Sequence, residues 1–244
     1  MSQMLAIAGR ELRAYFLSPG GYVVAALFIL AEGWFFVRYV FGQGETATLQ
    51  PIFAISMLLF ALLCPAVTMR MISEELRLGT IELLLTSPAS ATAVILGKFI
   101  GALGFFVLLL SPTLVFVAAL EIYGRPDYGE LLCGYLGLIL AGCAFLASGL
   151  LASTLTANQV VAYLITVFFW IILILATKGL PQAELLPAQW RESWSDILFA
   201  LDPDLRLKDF TIGLLDTANV VYFCSVTVVL LVASVGSLDA RRWR

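Results

Sequence analysis

Residues 131–155 read LLCGYLGLILAGCAFLASGLLASTL, and residues 160–176 read VVAYLITVFFWIILILA. Neither stretch contains an aspartate, glutamate, lysine or arginine. A membrane-spanning helix needs about 20 predominantly apolar residues, within a range of roughly 17 to 25, and both stretches meet that requirement. The connection between them, residues 156–159, is so short that the two spans are predicted to form a tight helical hairpin.

The apolar character extends over most of the 244-residue chain, in which 61% of the residues are hydrophobic and 13% are charged. A soluble domain averages roughly 25% charged residues. The apolar runs are continuous rather than alternating, which argues against a β-barrel. We therefore predict an all-α polytopic membrane protein with a single transmembrane domain over residues 1–244. Six spans are predicted, at residues 22–41, 52–68, 93–120, 131–155, 160–176 and 220–238.

Composition also excludes several classes of function. The chain has no histidine, which removes histidine metal sites and Ser-His-Asp or Cys-His catalysis. The four cysteines lie in apolar segments without C-x-x-C spacing and are predicted to be buried apolar side chains. A net charge of -3 without a basic patch argues against a nucleic-acid partner. We expect no catalytic residue, no metal site and no bound cofactor.

Two polar segments flank the predicted spans. Residues 2–18 carry apolar side chains at helical spacing on one side and Arg10 and Arg13 on the rest, which predicts an amphipathic helix at the membrane interface. Residues 178–216 are predicted to be an external, re-entrant or amphipathic region with short helices. Its apolar positions include Trp190, Trp194, Ile197, Leu198 and Leu201, and the Asp202-Pro203 pair is predicted to end that helix.

The orientation of the chain follows from its basic residues. Six spans put both termini on one side of the membrane, and cytoplasmic segments carry an excess of lysine and arginine. The predicted terminal side, with residues 70–98, holds Arg10, Arg13, Arg70, Arg77, Lys98, Arg241, Arg242 and Arg244. The other side holds Arg38, Arg125, Lys178, Arg191, Arg206 and Lys208. We therefore expect both termini, and the segment between spans two and three, to be cytoplasmic.

That segment, residues 72–88, reads ISEELRLGTIELLLTSP. Ser73 is predicted to cap a helix of two to three turns that has Glu74 and Glu75 in its first turn. In a continuous helix its apolar residues form two opposed ridges, Leu76 with Leu83, and Leu78 with Ile81 and Leu85. A membrane-surface helix needs only one apolar side. The second ridge fits either a groove in a partner protein or packing within the chain.

Three features inside the spans complete the candidate residues. Glu32, near the middle of span one, is a candidate intramembrane polar site, either for substrate or protons or as a structural contact with another helix. Gly97 and Gly101 in span three, and Ala144, Ser148 and Ala152 in span four, are small residues at four-residue spacing that predict close helix packing. Lys98 is expected to extend its ammonium to the membrane interface.

The segment at residues 75–88, followed by Gly97-Lys98, resembles the region after the second span of ABC-2 type transporter permeases. Two further segments resemble the gliding-motility-associated subfamily of these permeases. They are Asp209-Phe210 with Gly213, Asp216 and residues 220–223, and the terminal Arg241-Arg242-Trp243. The permeases that serve copper maturation of nitrous-oxide reductase are also similar.

This resemblance implies an ABC-2, or type V exporter-like, fold with six spans per protomer, in the bacterial inner membrane. Two permeases, either identical copies or paralogues, would sit on two cytoplasmic ATPase subunits that bind ATP and Mg. A companion membrane protein with an external domain is a further expected partner. The segment between spans two and three would be the coupling helix that enters the ATPase. The implied coupling residues are Glu74, Glu75, Arg77, Gly79, Thr80, Glu82 and Leu83.

The chain should not hydrolyse ATP itself. A P-loop needs the pattern G-x-x-x-x-G-K-[ST], and the Gly97-Lys98 pair is followed by Phe99. The leading hypothesis is a permease subunit that couples a partner's ATP hydrolysis to export or another transmembrane movement. An alternative is a non-transporting subunit that transmits ATPase motion to an external envelope complex. An ion-coupled secondary transporter that uses Glu32 is the weakest alternative, because it leaves residues 72–88 unexplained.

Overall fold

The computed structural model of the protein describes residues 3–41, 48–81, 90–124, 126–179 and 200–242. Within these ranges the chain is helical and contains no strand. The α-helices are α1 (Gln3–Leu17), α2 (Pro19–Phe36), α3 (Gln50–Thr68), α4 (Ser73–Leu78), α5 (Ala91–Leu110), α6 (Leu114–Tyr123), α7 (Tyr128–Leu155), α8 (Gln159–Gly179), α9 (Pro203–Thr211) and α10 (Thr217–Arg242). A π-helical turn, Val37–Phe41, extends α2, and a 3₁₀ turn, Ser111–Thr113, joins α5 to α6.

Among the described residues, six helical segments are long and apolar enough to cross a membrane. They are Pro19–Val40, Gln50–Leu78, Ala91–Ile122, Tyr128–Leu155, Gln159–Lys178 and Thr217–Arg241. These six segments confirm the predicted all-α, multi-pass fold. The third is interrupted by the 3₁₀ turn at Pro112, whereas Pro65 lies inside α3. The second segment contains α3, a turn and α4. It therefore ends at Leu78, ten residues beyond the predicted end of span two at residue 68.

Helix α7, the fourth span, is the centre of the bundle. It packs against α3, α5, α8, α9 and α10, and small residues let these neighbours approach it closely. A Cβ at Gly142 would lie 2.3 Å from the Phe106 ring, so only glycine fits there. Ala144, Ser148 and Ala152 are buried as their spacing predicts, and the indole Nε1 of Trp170 donates a 2.8 Å hydrogen bond to Ser148 Oγ. That bond satisfies two polar groups in an apolar interior.

One end of the bundle, which we call the α4 end, gathers the segments that the sequence places on one side. Helix α4 contacts α7 and α8 next to the short connection between them. From α10, Arg241 Nη2 donates a 3.1 Å hydrogen bond to the carbonyl of Leu155, the last residue of α7. Helix α1 joins this end through contacts with α5.

The opposite end of the bundle is built around α9. Phe210 of α9 is fully buried, with its Cβ 2.7 Å from where a Cβ of Gly137 in α7 would lie. Asp202 caps α9 by accepting a 2.9 Å hydrogen bond from the Asp204 amide, so Asp202-Pro203 begins a helix as well as ending the preceding turn. Buried Asn219 links α9 to α10, because it bonds both Asp209 and Arg206. The predicted interface residues Trp190, Trp194, Ile197 and Leu198 lie outside the described residues.

Candidate functional site

Helix α4, between spans two and three, is shorter than the predicted coupling helix. Glu74 and Glu75 lie in its first turn and Arg77 in its last, an arrangement that favours the helix dipole. The helix ends at Leu78 because Gly79 adopts φ +70°, a left-handed conformation that glycine reaches without steric cost. The prediction of two to three continuous turns is therefore wrong. Two of the predicted coupling residues, Glu82 and Leu83, lie outside the described residues.

Ser73 does not cap α4, contrary to the sequence prediction. Its side chain is buried and its hydroxyl donates to the carbonyl of Met69. The N-cap position belongs to Ile72, whose side chain makes no capping bond. The turn that precedes α4 supplies an acceptor for one of its first amides. The amide of Glu74 donates to Arg70 O at 3.3 Å, and that of Leu76 donates to Ile72 O at 2.9 Å.

Of residues 72–81, the part of this segment that the structure describes, the exposed ones form a four-residue tip at residues 77–80, made of Arg77, Leu78, Gly79 and Thr80. Leu78 is 63% exposed, while Ile81 is buried. The predicted ridge that joined these two residues on one helix face is wrong, because the left-handed turn at Gly79 breaks the helical phase. The opposite side of α4 faces the protein, with Leu76 packed against the core.

Lys98, on α5, connects this segment to the N-terminal helix. Its Nζ lies 2.9 Å from Glu75 Oε1 of α4 and 2.9 Å from Glu11 Oε1 of α1. The lysine side chain is 2% exposed, so the expected extension to the membrane interface is wrong. A lysine extends to the interface when it lacks a partner, and here two carboxylates provide one inside the protein. The second carboxylate oxygen of Glu75 is buried and has no hydrogen-bond partner among the described residues.

Two glycines bring α1 close enough for these contacts. A Cβ at Gly97 would lie 2.9 Å from the carbonyl oxygen of Met4, and one at Gly101 would lie 2.8 Å from Glu11 Cβ. The close packing predicted for this G-x-x-x-G pattern is confirmed, and its partner is α1. Part of the apolar side of α1 thus packs on α5, with Ala8 and Tyr15 buried, while Leu5 and Phe16 stay exposed.

A second set of bonds joins α1 to the end of span two. The hydroxyl of Tyr15 donates a 3.0 Å bond to Val67 O, and Arg70 Nη2 donates a 2.9 Å bond to Ser18 Oγ. Burial raises the pKa of Tyr15, the Glu11 carboxylate raises it further, and Arg70 lowers it. The phenol therefore stays protonated and remains a donor. These groups surround a cavity of about 260 Å³ that Glu74, Glu75 and Lys98 also line.

The sequence did not single out Glu11, Tyr15, Ser18 or Arg70 as site residues. Glu11 and Lys98 are 87 residues apart, and Tyr15 and Val67 are 52 apart. No local pattern indicates such pairs. A buried lysine in an apolar span does require a carboxylate partner, and Glu11 is the acidic residue of the predicted N-terminal helix.

Glu32 belongs to span one, and its side chain contacts span two. Its carboxyl is 0% exposed, and Ser56 Oγ donates a 2.7 Å hydrogen bond to Glu32 Oε1. The same serine oxygen lies 2.9 Å from Ile52 O. The second Glu32 oxygen has no partner among the described residues. This contact is compatible with the structural interpretation of Glu32, whose role stays a prediction.

A larger cavity, about 740 Å³, lies at the opposite end of the bundle. Its lining combines the start of α3, the end of α8 and one side of α9, and it includes Gln50, Lys178, Asp204 and Lys208. Lys178 and Asp204 form an exposed ion pair across it. Among the described residues, no cluster of three or more cysteines and acids has the spacing of a metal site.

Comparisons with known proteins agree with this arrangement. The family described as "ABC-2 family transporter protein" matches residues 36–243. Two curated relatives, both described as "Probable multidrug ABC transporter permease YbhR", come from Escherichia coli strain K12 and Escherichia coli O157:H7. Each is 27% identical over 145 residues, a match that covers 59% of this chain and 38% of the relative. The chain thus spans well under half the length of these relatives.

Proposed function

The chain belongs to the ABC-2 transporter family, and from that premise we propose that it is a permease subunit driven by a separate cytoplasmic ATPase. As a family member with six membrane-spanning helices, it is a multi-pass membrane subunit of a transporter. The coupling to an ATPase, the orientation in the membrane and the nature of the substrate are parts of the proposal.

The observation that carries the proposal is the exposed tip of α4, residues 77–80. The start of α4 is buried and supports this tip. The apolar side chain of Leu78 is exposed beside the cationic side chain of Arg77. Among the described residues, apart from its chain neighbours, no atom lies within 4 Å of a Cβ built at Gly79, so a partner surface can approach the backbone there. An apolar anchor next to a charge suits a groove in another protein. We propose Arg77, Leu78, Gly79 and Thr80 as ATPase contacts, whereas Glu75 points inward to Lys98.

The ATPase would bind ATP and Mg, since this chain has no P-loop. Docking of the tip on a cytoplasmic ATPase puts the α4 end, and with it both termini, in the cytoplasm. We place the protein in the bacterial inner membrane. ATP-driven closure of the ATPases would then move the α4 tips and rearrange the spans.

A transporter of this kind needs two membrane subunits, and we propose a second copy or a paralogue as the other half. We propose export as its direction, because the two relatives are described as probable multidrug permeases. We also assign the chain to the gliding-motility-associated subfamily, with a companion membrane protein that has an external domain. The support is the likeness of residues 209–223 to that subfamily, a segment in which Phe210 packs against α7 and Gly213 takes φ +81°.

A second candidate function, transmission of ATPase motion to an external envelope complex, is favoured by the opposite end of the bundle. There, α9 is fixed to α7 and α10 through Phe210 and Asn219 and borders the 740 Å³ cavity. Movement of the spans would therefore carry α9 with them. Stimulation of ATP hydrolysis by an added substrate in nanodiscs distinguishes transport from this alternative.

The assignment of the α4 tip as the docking surface is tested by reversing the charge at Arg77 and by replacing the apolar side chain of Leu78 with a charged one. In Arg77→Glu and Leu78→Asp, we expect the ATPase that co-purifies with the chain to fall at least about tenfold, a loss of about 1.4 kcal/mol in binding. Lys208→Glu is the matched control, because Lys208 is an exposed cation at the opposite end. If the Arg77 and Leu78 variants retain the ATPase as the control does, the tip is not the docking surface.

A further inference from the structure

Lys98 touches carboxylates from two helices at once, one at the coupling segment and one at the N-terminus. We propose that Lys98 is a positioning residue that makes α4, α1 and span three move as one unit. Movement that the ATPase imposes on the α4 tip would reach the bundle through this lysine. The inference rests on the proposed function, because it concerns the path by which ATPase motion is transmitted.

The geometry of the ammonium supports this role. Both carboxylate oxygens lie 2.9 Å from Lys98 Nζ, a distance typical of charge-assisted hydrogen bonds. A lysine has three N–H donors, so it can hold both carboxylates without releasing either. Glu11 and Glu75 are partly buried, and Lys98 is almost fully buried, so solvent competes weakly for these bonds. Without the lysine, two carboxylates would face each other across a small gap.

The surrounding contacts explain why the three elements cannot move independently. Gly97 and Gly101 hold the backbone of α1 against α5 on either side of Lys98. Tyr15 and Arg70 then tie the end of α1 to the end of span two. Helix α4 follows directly from span two and returns to α5 only through Glu75 among the ion pairs of the described residues. Lys98 thus closes a ring made of α1, span two, α4 and span three.

Only one of the two carboxylate oxygens of Glu75 contacts Lys98. Its Oε1 bonds Lys98, whereas its Oε2 is buried and has no partner among the described residues. Glu75 also lines the 260 Å³ cavity. Helix α1 with Glu11 precedes residue 36, where the family match begins, so the family match does not by itself supply this contact.

The functional test compares binding with stimulation in the complex of the chain and its co-purifying ATPase. In Lys98→Met, which keeps the length of the side chain, we expect ATPase retention within about twofold of wild type. Permease-dependent stimulation of ATP hydrolysis should fall at least about tenfold, a loss of about 1.4 kcal/mol in coupling. Glu11→Gln should show the same split, although α1 lies away from the exposed tip. The matched control is Lys178→Met, which breaks an exposed lysine–aspartate pair at the opposite end.

Double variants test whether the residues act together. Glu11→Gln or Glu75→Gln added to Lys98→Met should lower stimulation no further, because the shared contact is already lost. Wild-type stimulation in Lys98→Met overturns the proposal. Equal loss of ATPase binding and stimulation in Lys98→Met and Glu11→Gln also overturns it, because Lys98 would then only shape the docking surface.

A distance measurement on the full-length chain in nanodiscs does not depend on the ATPase. Spin labels replace exposed Arg10 on α1 and Arg77 on α4, in a background where the four native cysteines are replaced. Wild-type Lys98 should give one narrow distance distribution, and Lys98→Met should broaden it. If Lys98→Met leaves the distance distribution unchanged, Lys98 does not hold α1 and α4 together, and the proposal is overturned. If no ATPase binds even the wild type, the proposed function fails, while a broadened distribution still supports the tie between α1 and α4.

Discussion

At the residue scale, several polar side chains buried in this bundle are held by specific partners from other helices. Lys98 holds Glu11 and Glu75, Trp170 bonds Ser148, and Ser56 bonds Glu32. In a membrane interior an unpaired polar group has no water to satisfy it, so each such contact fixes the position of two helices. The contact between Ser56 and Glu32 fixes span one against span two.

Removal of the Ser56 hydroxyl should therefore destabilise the bundle. Ser56→Ala leaves both oxygens of the buried Glu32 carboxyl without a donor among the described residues, and a buried polar group left unsatisfied costs about 1–3 kcal/mol. We expect a loss of that size in the free energy of unfolding in detergent, and a smaller loss when Glu32→Gln is already present. Ser225→Ala, which removes an exposed hydroxyl, is the control. Equal stability of the two alanine variants would show that the Glu32 contact contributes nothing.

At the element scale, α4 is a short helix whose length is set by one glycine. Gly79 ends it at Leu78 with a left-handed backbone, and this turn separates exposed Leu78 from buried Ile81. A continuous helix through residue 81 would rotate these side chains to other positions. The shape of the exposed tip thus depends on the backbone of Gly79 rather than on the space around it, because no described residue other than its chain neighbours comes within 4 Å of a Cβ built there.

Substitutions at Gly79 should separate backbone strain from steric clash. A residue with a Cβ costs about 1–2 kcal/mol in the left-handed conformation, and asparagine adopts it more readily than alanine or valine. We expect ATPase co-purification to fall in the order Gly79→Asn, Gly79→Ala, Gly79→Val, with the asparagine variant near wild type. Equal losses in all three variants would mean that any side chain at position 79 blocks the partner, and that the left-handed backbone turn is not what matters.

At the scale of the whole molecule, the two ends of the bundle are chemically and structurally different. The α4 end has an exposed tip above the buried ring around Lys98, while the opposite end has α9 packed into α7 beside a large cavity. An ATP-driven permease needs this asymmetry, because one end receives the motion and the other acts on what lies outside. The proposed orientation makes the α4 end cytoplasmic.

The proposed orientation can be measured by thiol labelling in inner-membrane vesicles. In a background without the four native cysteines, Arg77→Cys should react with a membrane-impermeant maleimide only in inside-out vesicles. Lys208→Cys should react only in right-side-out vesicles, because it is exposed at the opposite end. The background chain without added cysteine controls for unspecific labelling. The reverse pattern would place both termini outside and refute docking on a cytoplasmic ATPase.

The sequence by itself determined the class of fold and the six candidate spans, and it predicted the segment that would couple to a partner. These features are local, because the length of an apolar run decides whether a helix can cross a bilayer. The G-x-x-x-G pattern at Gly97 and Gly101 likewise predicted close packing from spacing alone, although not the helix that packs there. The likeness of residues 75–88 to ABC-2 permeases indicated the family that the match over residues 36–243 shows.

Only the tertiary structure decided which side of α4 is exposed and which is held. Helical periodicity placed Leu78 and Ile81 together, since it assumes a continuous helix, and the backbone of Gly79 separates them. The exposure expected for Lys98 was wrong for a different reason. Its partner Glu11 is 87 residues away and reaches it only because two glycines let α1 approach α5. Contacts between distant residues depend on how helices pack, which no local pattern specifies.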